Sequence, residues 1–81
     1  MNEIINEDAK KKVKENQRTR LTRMLFRKSL ISLLKEKSLY EITASELCAA
    51  AELNRSTFYK HYDNVADVMS ELDKEIRDKV T

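Results

Sequence analysis

The stretch from Asn54 to Tyr62 gathers a guanidinium (Arg55), an ammonium (Lys60), an imidazole (His61), two aliphatic hydroxyls (Ser56, Thr57) and two phenols (Tyr59, Tyr62). Asn54 suits an N-cap, so the residues after it read as a short helix. Phe58 and Tyr62, four apart, would be its buried side, leaving the polar groups outward. Donors presented this way can serve phosphate oxygens and the acceptor edges of bases.

Other chemistries fit the chain poorly. The one His and the one Cys, Cys48 and His61, cannot make a structural zinc site. Ser56 and His61 are five residues apart, roughly 140° around a helix, so they do not form a nucleophile–base pair. A chain with no glycine has no glycine-rich phosphate loop. We therefore expect no enzyme activity, no cofactor and no metal.

The elements that must hold this segment follow from pattern. Thr43 and Glu46 form a capping box at the start of a helix running to about Ala51, with Leu47, Cys48 and Ala51 inward. Glu52-Leu53 then makes a turn into the Asn54 helix. Two short helices, small residues where they cross and a basic second helix give a helix-turn-helix expectation. Upstream, Phe26, Leu30, Leu33 and Leu34 mark the buried stripe of a helix from about Thr19 to Lys37, with Lys35 and Lys37 in its last turn. Leu21, Met24, Leu25 and Ile31 fall off that stripe, as either a second packing surface or part of a generous core. Downstream, Asn64 with Asp67 resembles a capping box, and Val65, Val68, Met69, Leu72, Ile76 and Val80 form a stripe to the end of the chain.

Eighty-one residues with 37% charged side chains and neither Gly nor Pro favour a single all-α domain over a hairpin-based one. One cysteine excludes an internal disulfide and fits a reducing compartment, and no apolar run approaches the roughly 18 residues of a membrane span. The expected location is cytoplasmic. The net charge of +2 is unevenly spread. Residues 8–23 hold Lys10, Lys11, Lys12, Lys14, Arg18, Arg20 and Arg23 against Asp8 and Glu15, whereas residues 63–81 are net acidic. The organisation expected is a flexible basic arm over 1–17, a DNA-binding unit over 18–63 and a fourth helix over 64–81. The arm reads either as an electrostatic aid reaching phosphate or the minor groove, or as a solubility segment.

Residues from about Arg20 to Leu72 resemble the N-terminal DNA-binding domain of the tetracycline-repressor (TetR) family of transcriptional regulators. Ile42-Thr43 opening the second helix, Leu47-Cys48, and the run Ser56-Thr57-Phe58-Tyr59-Lys60-His61-Tyr62 carry the resemblance. It implies a three-helix, homeodomain-like domain plus the start of a longer fourth helix. It also implies a transcriptional repressor that binds double-stranded, palindromic operator DNA as a homodimer, with the effector site in a further domain outside this chain. Three positions depart from the family pattern: Ser38 and Glu52 stand where glycine is usual, and Val65 where a phosphate-facing lysine is usual.

The expected contacts follow. Arg55 is the candidate for a bidentate contact to guanine, with Ser56 and Thr57 reaching bases or phosphate. Thr43 and Ser45 would hold phosphate at the start of the second helix, and Lys60 and His61 on the flank of the third. The resemblance adds that Tyr59 gives its hydroxyl to a phosphate. Each has a plainer alternative: Tyr59 as a core-edge aromatic, Lys60 and His61 as solvated side chains. The competing function is a helical protein-interaction module using the apolar surface of helices one and four.

Overall fold

The computed structural model of the chain describes residues 17–80, the side chain of Val80 excepted. The basic arm expected over 1–17 lies outside the described residues but for Gln17, which opens the first helix. The fold is all-α. The described residues form α1 (Gln17–Leu34), a 3-10 turn (Leu39–Glu41), α2 (Ala44–Ala51), α3 (Arg55–His61) and α4 (Val65–Val80), with no strand among them.

α1 ends earlier than its pattern predicts. The Lys35 and Glu36 N–H groups donate to the carbonyls of Ser32 and Leu33, at 3.2 and 2.9 Å, three residues back rather than four. This tightening ends the α-helix at Leu34 and places Lys35 and Lys37 beyond its last turn. Lys37 instead reaches forward, its Nζ 2.6 Å from Glu46 Oε2 in the first turn of α2.

Phe26, Leu30, Leu47, Phe58 and Val68 are fully buried, one or two from each helix, so a single core serves all four. Ile42, Cys48, Tyr62, Val65 and Leu72 complete it. Burying each large aliphatic or aromatic group contributes about 1.5–3 kcal/mol, which a domain of this size needs. α1 packs on α2 and on α4, and α2 packs on α3. Val65, where the resembled family has a lysine, is spent on the core at 9% exposure.

The caps are local and match their residue types. Thr43 Oγ1 accepts from the Glu46 N–H at 3.1 Å while Glu46 Oε1 accepts from the Thr43 N–H at 3.0 Å. At α4, Asn64 Oδ1 accepts from the Asp67 N–H at 3.0 Å, and Asp67 Oδ2 accepts from the Asp63 N–H at 2.8 Å. Glu52 ends α2 in the left-handed region, at φ 59° and ψ 42°. The Glu52 N–H donates to the Ala49 carbonyl at 3.2 Å and the Leu53 N–H to the Cys48 carbonyl at 3.0 Å, a Schellman close. That close turns the chain sharply into α3, and Leu53 packs on the core as it passes.

Candidate nucleic-acid interface

α3 has seven residues, too few to hold a helix unaided, so packing must fix it. Three rings do so. Phe26 of α1 meets Phe58 edge-on at 5.4 Å between centroids and Tyr62 edge-on at 5.9 Å. With Phe58 and Tyr62 turned inward, helical geometry sends Ser56, Tyr59 and Lys60 outward, while Arg55, on the Phe58 side, is exposed because it opens the helix. The Asn54 cap starts the helix as its residue type predicts, Oδ1 accepting from the Thr57 N–H at 2.9 Å.

The other end of α3 is tied by a polar cluster. The Tyr62 hydroxyl donates to Glu71 Oε1 of α4, and Arg23 of α1 pairs with Glu71 Oε2. Arg27 reaches Glu71 at 3.2 Å and Glu75 at 3.1 Å. The Arg23 guanidinium also lies 5.8 Å from the centre of the Tyr62 ring. Burial works to raise the Glu71 pKa, but the Tyr62 hydroxyl and the two guanidiniums outweigh it and hold the carboxyl below its usual value. Burial, reinforced by the bond to Glu71, pushes the Tyr62 phenol up, so it remains a donor.

This cluster divides the basic residues into two sets. Arg23, Arg27 and Lys37 are committed to Glu71, Glu75 and Glu46. Among the described residues, Arg18, Arg55 and Lys60 have no carboxylate within ion-pair distance. Both bases of α3 are thus open to an external anion, as are Arg18 and Arg20 at the start of α1 and the scattered Lys28, Lys35, Lys74 and Lys79.

The residues singled out in the sequence separate into four places. Arg55 and Ser56 stand at the outer N-terminal end of α3. The Ser56 hydroxyl donates to Asn54 Oδ1 at 2.9 Å, leaving its lone pairs to accept from a ligand N–H. Tyr59, Lys60 and His61 line a cleft against α4 that also holds Asp63, Asp67 and Glu71. Tyr59 is half exposed, its ring edge-on to Phe58 at 5.0 Å, so packing steers it while its hydroxyl end reaches solvent. Thr57, Lys60 and His61 line a second groove, against α1, with Arg18, Thr19 and Thr22. Thr43 and Ser45 are exposed at the start of α2. Thr43 already accepts within its capping box, and its hydroxyl proton remains to donate outward.

Two groups of residues escaped the sequence reading. The Arg23–Tyr62–Glu71 cluster joins residues up to 48 apart, and no local spacing marks it. Arg18 was visible only within the basic run over residues 8–23 and Thr22 only as the residue one turn before Phe26 on the buried stripe, and their place beside Thr57 depends on how α1 crosses α3.

Among the described residues no group of His, Cys, Asp and Glu could hold a metal ion, and no helix is long and apolar enough to cross a membrane. Comparison of the chain with protein-family models, with curated proteins and with solved structures finds no match.

Proposed function

We propose that α2, the Glu52 turn and α3 form a helix-turn-helix, and that the chain is the homeodomain-like DNA-binding domain of a TetR-type transcriptional regulator. α3 enters the major groove and reads operator bases through Arg55 and Ser56, while Thr43, Ser45, Tyr59, Lys60 and His61 hold phosphates. The whole regulator acts as a cytoplasmic homodimer on a palindromic site and represses transcription. Its effector binds elsewhere.

One observation carries the reading. α3 is held through Phe58 and Tyr62, and its exposed Arg55 and Lys60 are not neutralised within the fold, while Arg23, Arg27 and Lys37 are. Unspent donors on a rigidly mounted short helix suit recognition of an acceptor-rich groove.

The test is selection of bound sequences from random duplexes, followed by Arg55→Ala on the enriched site. The substitution should cost about 1–3 kcal/mol of binding and relax preference at one base pair. Unchanged affinity and unchanged preference would remove Arg55 as the base reader.

A second reading rests on a different observation. Leu21, Met24 and Ile31 on α1 and Ile76 on α4 are exposed by 51%, 37%, 43% and 50%. A protein-interaction module would use this surface in place of α3.

A further inference from the structure

The two clefts that flank α3 differ in charge. The cleft against α4 mixes three carboxylates, from Asp63, Asp67 and Glu71, with the cations of Arg23, Lys60 and Lys74. The groove against α1, of about 330 Å³, is lined by Arg18, Thr19, Thr22, Thr57, Lys60 and His61, with no carboxylate among them. It combines two fixed cations, an imidazole and three hydroxyls.

We infer that this groove is a phosphate subsite, formed jointly by α1 and α3, and that its occupant is a backbone phosphate of duplex DNA. The inference rests on the duplex-binding reading above and assigns one residue within it. Thr57 was expected to reach either bases or phosphate. Its place in the groove puts it beside Arg18 and Thr22, on a different side of the first turn of α3 from Arg55 and Ser56. Thr57 is partly buried where Arg55 and Ser56 are exposed. Its hydroxyl therefore helps to hold the phosphate, while sequence is read by its neighbours.

Charge supports the choice of occupant. Arg18 and Lys60 have no ion-pair partner among the described residues, so a phosphate would not have to displace one. A phosphate entering the α4 cleft would meet carboxylates beside its cations; entering the α1 groove it meets cations with no carboxylate. A phosphate bridging two helices also fixes the angle at which α3 meets the duplex, which a contact from α3 alone cannot do.

The experiment measures the affinity of the chain for its selected duplex over a series of salt concentrations, with single methylphosphonate replacements along each strand. Arg18→Gln should reduce the slope of log affinity against log salt by about 1, and Thr57→Val should weaken binding equally for preferred and altered sequences. One methylphosphonate position per half-site should weaken the parent protein and have no further effect on Arg18→Gln. Lys28→Gln, exposed further along α1 and outside the groove, should leave that position's effect intact. An unchanged salt slope and methylphosphonate profile in Arg18→Gln would overturn the subsite while leaving duplex binding standing. A changed base preference in Thr57→Val would place Thr57 with the base readers and overturn its assignment. Inorganic phosphate that saturates the groove amides, with no methylphosphonate effect, would make it a small-anion site and overturn the backbone occupant. A protein that selects no duplex would overturn the parent reading instead.

Discussion

Glu52 shows how much one residue can cost without changing the fold. A side chain with a Cβ sits at φ 59°, a conformation that costs roughly 1–2 kcal/mol outside glycine. The Schellman hydrogen bonds and the packing of Leu53 hold it there. Glu52→Gly should relieve the strain and, after the greater freedom it gives the unfolded chain, stabilise the domain by about 0.5–1 kcal/mol. Chemical denaturation would register this as a higher midpoint at constant slope; a lower midpoint would show that the glutamate side chain contributes more than its backbone costs. Phe58 lies at the other extreme. Fully buried against Phe26, it should lose about 3–5 kcal/mol on replacement by alanine, enough to unfold a domain of this size. Binding variants are therefore best chosen from exposed positions such as Arg55 and Lys60.

At the scale of elements, the helices are set by caps that a sequence displays and by a cluster that it does not. Thr43 with Glu46, Asn54 with Thr57, and Asn64 with Asp67 lie three residues apart, so each cap was legible in the chain before folding. The end of α1 was less so, because its last carbonyls bond three residues on and Lys37 is drawn to Glu46. The cluster around Glu71 was not legible at all: its partners come from α1, the end of α3 and α4, and only the crossing of those helices brings them together. Burial raises the Glu71 pKa, yet its hydrogen-bond and charge partners bring it below the ordinary 4.5. A carboxylate with a depressed folded pKa contributes stability above its unfolded value and loses it as pH falls through the folded one. The melting midpoint should therefore fall as pH drops below 4.5, and Glu71→Gln should be less stable near neutrality but flatter across that acid range. Glu46, held down first by its bond to Lys37, titrates in the same sense and leaves some acid sensitivity in the variant. Parallel acid loss in parent and Glu71→Gln would remove Glu71 as a contributor.

Across the whole molecule, the chain presents two unlike surfaces. One comprises exposed polar residues: Arg18 at the start of α1, Thr43 and Ser45 at the start of α2, and Arg55 and Lys60 on α3. The other is the apolar outer side of α1 with Ile76 of α4, where the stripe continues past the shared core that ends at Leu72. The apolar residues of α1 that fell off the stripe in sequence prove to be a surface at Leu21, Met24 and Ile31 and only partly covered at Leu25. Periodicity could separate the two sides of α1 but could not say whether another element covers the second. The two surfaces correspond to the two functional readings, and one titration separates them. Amide chemical shifts would be followed while the selected duplex is added to the chain. The duplex reading predicts saturating changes through residues 43–62 and at Arg18 and Thr22, sparing Met24, Ile31 and Ile76. Changes confined to the apolar side of α1 and to α4, with residues 43–62 unmoved, would contradict it.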